Sequence, residues 1–174
     1  HCISSAASDV YKRQDQFNSQ QTMTNYLRRI NRKTALLIQL ATEVGAITAG
    51  SDIKTIHKLK MIGHYIGMSF QIVDDILDFT STEKKLGKPV GSDLMNGHIT
   101  LPVLLEMRDN SAFRQMIEEL HPNSNKEQFE ACINIIRQSN NIQVSKDISE
   151  KYLEKALNLI DELEDNQAVS YTHL

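Results

Sequence analysis

The sequence predicts an all-α fold. Three observations carry the prediction. Only 7 Gly and 3 Pro occur in 174 residues, so few positions interrupt a helix. Apolar residues recur at three- and four-residue spacing along most of the chain. No stretch of useful length alternates apolar and polar residues as a half-buried strand does. The composition, 40% hydrophobic and 24% charged, is that of a globular domain. A net charge of −3 supplies no basic field, so no nucleic-acid partner is expected. The most apolar run, Thr34 to Gly50, is interrupted by Gln39 and Glu43, so no stable membrane span is expected. Two cysteines make no disulfide framework and suit a reducing compartment.

The elements follow in order. Thr24 is a candidate cap for a helix through Tyr26, Leu27 and Ile30 that continues into Ala35 to Ala41, with Gly50 as its stop. Ser51 and Asp52 suit the cap and first turn of a second helix, which the apolar spacing carries without a proline to about Phe79. Gly87, Pro89 and Gly91 break the pattern, so residues 80–92 are predicted to be a loop. Leu101 to Met107 reads as a short buried helix with Pro102 in its first turn. Phe113 to Leu120 and Glu127 to Arg137 are amphipathic, and a last amphipathic helix runs from about Val144 to Leu163.

The two ends are expected to be foreign to the fold. One allowed codon choice for Asp9 to Gln14 (DVYKRQ), reverse-complemented and read two bases out of frame, encodes Val169 to His173 (VSYTH) and the first base of a Leu174 codon. The ends are thus readable as one DNA element in opposite orientations, a translated library adaptor. Residues 1–14 and 169–174 are set aside as adaptor, and 15–168 are taken as the native part.

The second helix carries a constellation. On a wheel of about 100° per residue with Asp74 at zero, Asp78, Gln71 and Asp75 fall at roughly 40°, 60° and 100°. Gly63, Gly67 and His64 continue the same strip, while Phe70, Ile72, Val73, Ile76, Leu77 and Phe79 occupy the remaining arc. A helix so apolar elsewhere is expected to be buried. Three carboxylates on its one polar strip repel one another and call for a cation. Hard divalent cations favour carboxylate oxygens, and Mg²⁺ usually adds substrate phosphates. The two glycines are expected to leave room for a ligand. Lys33, where a polar stretch enters an apolar helix, and Lys88, in the glycine-rich loop, are candidate phosphate binders. The expectation is that Asp74, Asp75 and Asp78 face one cleft that both lysines reach. The competing reading of the strip is a solvated acidic face, and His64 by itself reads as a packed core histidine.

Phe70-Gln71-Ile72-Val73-Asp74-Asp75-Ile76-Leu77-Asp78 resembles the second aspartate-rich motif of the trans-type polyprenyl diphosphate synthases. Gly87 to Leu94 with Gly97-His98-Ile99-Thr100-Leu101-Pro102 resembles the segment that follows it, and Lys33-Thr34-Ala35 resembles the upstream Lys-Thr pair. The resemblance covers 15–168 and implies the C-terminal half of an isoprenoid-synthase-type helical bundle. It implies a reaction in which an allylic diphosphate ionises and isopentenyl diphosphate attacks the cation. It assigns Asp74, Asp75 and Asp78 to Mg²⁺, and Lys33 and Lys88 to the allylic diphosphate. Thr34 and Gln71 would place oxygen dipoles near the developing cation, and Phe70 would line the isopentenyl pocket. His98 stands where many members carry a diphosphate-binding lysine. The resemblance further implies a cytoplasmic enzyme that is either a homodimer or a hetero-oligomer with a small regulatory subunit.

The family's first aspartate-rich motif and the arginines beside it have no counterpart in the sequence, so this chain alone is expected to be inactive. Two other readings remain: a terpene cyclase of the same fold, and a non-catalytic subunit of a heteromeric synthase. Cyclases usually carry Asn and Ser/Thr in the second metal motif, and non-catalytic subunits tend to lose carboxylates. Asp74, Asp75 and Asp78 argue against both.

Overall fold

The computed structural model describes residues 16–163, and no strand occurs among them. The expected adaptor segments, 1–14 and 169–174, lie outside the described residues. The helices are α1 (Met23–Ile30), α2 (Leu36–Thr48), α3 (Ile53–Thr80), α4 (Glu83–Leu86), α5 (Ser92–Met95), α6 (Leu101–Asp109), α7 (Ser111–Glu119), α8 (Lys126–Gln138) and α9 (Asn141–Asp161). A π-helical turn, Asn31–Ala35, joins α1 to α2. The described residues form two compact units, one of residues 16–26 and 73–146, the other of 27–72 and 147–163.

Local chemistry sets the helix ends. The Thr22 hydroxyl, rather than Thr24, accepts the Asn25 N–H at 3.2 Å and starts α1. Gly50 ends α2 with φ +73° in a Schellman arrangement: its N–H donates to Ile47 and that of Ser51 to Ala46. Asp52, one position later than the cap expected at Ser51, caps α3 by accepting the Lys54 and Thr55 N–H groups at 2.8 and 3.1 Å. Asn125 and Gln128 form a reciprocal capping box at the start of α8.

In the first unit, α6 is buried from Leu101 through Met107. Phe79, Leu94, Ile99, Phe113, Ile117 and Ile136 complete that core. The Glu106 carboxyl group is also buried there. Glu106 accepts from Asn110 Nδ2 at 3.1 Å and from Asn141 Nδ2 at 2.9 Å, so both carboxylate oxygens have partners. Asn110 also caps α7 through the Phe113 N–H.

The second unit is thinner, with Ile30, Ala35, Ala46, Ile62, Met68, Ile72 and Ala156 buried. Here α2 and α3 approach closely. A Cβ on Gly67 would stand 2.5 Å from the Ala35 Cα, and one on Gly63 would collide with the Thr42 hydroxyl. The glycines therefore admit a neighbouring helix, not a ligand as expected. The burial expected for α3 is also only half realised, since Ile66, Phe70, Val73 and Leu77 are exposed.

Candidate functional site

Within the first unit, the end of α3 and the segment after it are tied together by one carboxylate. Asp78 is 1% exposed. Its Oδ1 accepts the Ser92 hydroxyl at 2.9 Å, and its Oδ2 accepts the Asp93 N–H at 3.0 Å. The Lys88 ammonium lies 2.9 Å from Oδ1 and 3.5 Å from Asp93 Oδ1. The Asp78 carbonyl accepts the Gly91 N–H at 2.8 Å. Gly91 has φ +73°, which lets the chain reverse into α5. Partial burial pulls the Lys88 pKa down, but the Asp78 hydrogen bond and the charges of Asp93 and Asp78 outweigh it, and the pKa is raised. Lys88 is therefore a fixed cation on a half-exposed stem.

The other two carboxylates differ from Asp78 and from each other. Asp74 is exposed, whereas Asp75 is 3% exposed and accepts the hydroxyl of the wholly buried Tyr26 at 2.9 Å. The strip is thus one outward carboxylate beside two inward, hydrogen-bonded ones. Among the described residues, no group of three or more His, Cys, Asp or Glu side chains is arranged to hold a metal ion. His98 is exposed, and its N–H donates to the Asp93 carbonyl at 2.8 Å.

In the second unit the Thr34 hydroxyl donates to the Gln71 carbonyl oxygen. Gln71 is 2% exposed. Lys33 is exposed on the π-turn, which the Leu36 N–H closes on the Asn31 carbonyl. Such turns inside helices recur at functional sites because they re-aim side chains. Phe70 is 61% exposed. Burial lowers the pKa of the half-buried His64.

The structure therefore pairs Lys88 with Asp78, and Thr34 with Gln71. Three partners were given no site role by the sequence reading. Ser92 and Asp93 directly follow Gly91, which signals a turn into a helix start and could have flagged them. Tyr26 carried no signal, because an aromatic at helical spacing reads as core.

The polyprenyl synthetase family profile matches residues 4–136. Heptaprenyl diphosphate synthase component 2 of Bacillus subtilis is 44% identical over 93% of this chain and 46% of its own length. The protein of that name from Geobacillus stearothermophilus is 44% identical over 92% of this chain and 50% of its own. The crystal structure of heptaprenyl diphosphate synthase from Staphylococcus aureus superposes with a TM-score of 0.88 at 68% identity, covering 92% of this chain and 51% of that one. A Caulobacter crescentus polyprenyl synthase, complexed with calcium and isoprenyl diphosphate, gives 0.82 at 28% identity, covering 92% and 50%. The chain spans about half the length of the curated relatives it matches. With the family profile covering most of its length and its helices superposing on those of solved relatives, the chain belongs to the polyprenyl synthetase family.

Proposed function

We propose that this chain is part of the catalytic component of a two-component heptaprenyl diphosphate synthase, which condenses isopentenyl diphosphate with an allylic diphosphate in the cytoplasm. One observation carries the reading: Lys88 is locked onto Asp78, one helical turn from the exposed Asp74. A diphosphate needs both neighbours, a lysine for its own oxygens and carboxylates for the cation that accompanies it. The partner subunit is inferred from the names of the Bacillus and Geobacillus relatives. The calcium and isoprenyl diphosphate of the Caulobacter complex support a divalent cation and the substrate class.

The donor set fits Mg²⁺ in its usual manner, by one or two carboxylates with phosphate oxygens rather than by an all-protein cage. Asp74 and Asp75 would hold it directly, and Asp78, whose oxygens are engaged by Ser92, Asp93 and Lys88, would add its carboxylate to the metal-binding segment from the adjoining turn. When bound, it supplies charge neutralisation for a departing pyrophosphate. Lys88 and Lys33 would bind the diphosphate oxygens, with His98 as a further donor. The Thr34–Gln71 pair would orient oxygen dipoles toward positive charge, and Phe70 would line the apolar part of the isopentenyl pocket. The test is elongation of a labelled allylic diphosphate by the full-length protein with its partner subunit. Activity is expected to vanish in EDTA and return with Mg²⁺. Asp74→Ala is expected to lower kcat by roughly 10²–10³-fold with the fold retained. Normal elongation in EDTA, or by Asp74→Ala, would overturn the proposal.

A further inference from the structure

We infer that Tyr26 is a positioning residue for the acidic end of α3, acting through Asp75. The inference rests on the synthase reading above. Tyr26 is 0% exposed and Asp75 is 3% exposed, and the phenol donates to Asp75 Oδ2 at 2.9 Å. Packing alone does not require the hydroxyl, since phenylalanine has nearly the same shape. A buried carboxylate, however, requires a donor, and a charge-assisted hydrogen bond is roughly twice as strong as a neutral one.

The geometry gives the bond a further consequence. The Asp75 side chain turns about two bonds, and the phenol fixes it in one orientation next to Asp74. Asp78, three residues on, is fixed in the same manner by Ser92, Asp93 and Lys88. A cation arriving at Asp74 therefore meets a neighbour already set in place. Partners of this kind, one step removed from a metal, change its affinity by about 10–100-fold when removed.

The test uses the full-length protein with its partner subunit and Mn²⁺ with inorganic pyrophosphate, read by the EPR signal of free Mn²⁺. Tyr26→Phe is expected to weaken Mn²⁺ about tenfold, with the melting temperature changed by only a few degrees. On an Asp75→Asn background the same change is expected to add nothing, because the bond acts through Asp75. Unchanged Mn²⁺ affinity in folded Tyr26→Phe, or a full further loss on the Asp75→Asn background, overturns the inference. Should Tyr26→Phe not fold, 3-fluorotyrosine at position 26 preserves the shape. Its ¹⁹F resonance is expected to move on addition of Mg²⁺ and pyrophosphate, and a resonance that stays put overturns the inference equally. Asp74→Asn separates the two levels: if it leaves Mn²⁺ affinity intact, the synthase reading of the site fails, whatever Tyr26 does.

Discussion

His64 shows how burial without a charged partner becomes a pH dependence. Burial lowers its imidazole pKa below the ordinary value of about 6.5. The folded chain then holds this proton less tightly than the unfolded chain, so the unfolded state binds more protons wherever the two differ. Stability is complete above about pH 6.5 and falls as pH drops toward the folded-state pKa. Urea midpoints at pH 7.5 and 5.5 are expected to show a smaller acid loss for His64→Gln than for the parent. Equal losses would show that His64 does not set the slope. Asp78 and Glu106 solve the burial problem differently, each binding donors at both oxygens. Removing one of those donors would leave a buried polar atom unsatisfied, which costs more than the hydrogen bond itself contributes.

At the scale of elements, the contact of α3 with α2 and with the π-turn that precedes it depends on missing side chains. Gly67→Ala would place a methyl group against the Ala35 backbone, and backbone cannot swing away as a long side chain can. Overpacking of this kind costs about 1–3 kcal/mol, so the urea midpoint is expected to fall. Gly45→Ala serves as the control, because a Cβ there meets nothing within 4 Å and helix propensity favours alanine. A Gly67→Ala midpoint at or above the parent would contradict the close approach. The helices themselves were legible in the sequence because the 3.6-residue period and the glycine stops are local signals. The separation of α6 from α7 was read as well, but the role of Asn110 at the break was not, since Asn110 is recognisable as a cap only through its bond to the Phe113 N–H. Nor was the small helix α5 visible, as its four residues carry too little periodicity. The acidic strip was found by its phase, but phase cannot say which carboxylates turn inward. That depended on Tyr26 and Ser92, distant in sequence and silent until the chain folds.

Across the whole molecule, the balance of exposed apolar surface argues about what the chain does alone. Leu36, Leu37, Leu40, Val44 and Ile47 of α2 are each about half exposed or more, and so are Ile53 and Phe70 of α3. Contiguous apolar surface in water drives association. The curated relatives are about twice as long as this chain, and the sequence holds a single D-D-x-x-D at Asp74 to Asp78. A departing pyrophosphate develops charge that must be met from several sides, and the ionising step depends on that charge more than substrate binding does. On the proposed reading, one acidic segment with Lys88 would supply a diphosphate foothold without the full electrostatic cradle. The isolated 174-residue chain is therefore expected to self-associate in light scattering and to give no labelled long-chain product from an allylic diphosphate and isopentenyl diphosphate. The full-length protein, assembled with its partner subunit under the same Mg²⁺ concentration, is expected to elongate. A monodisperse isolated chain that elongates at the full-length rate would show that the residues described above already complete the active site.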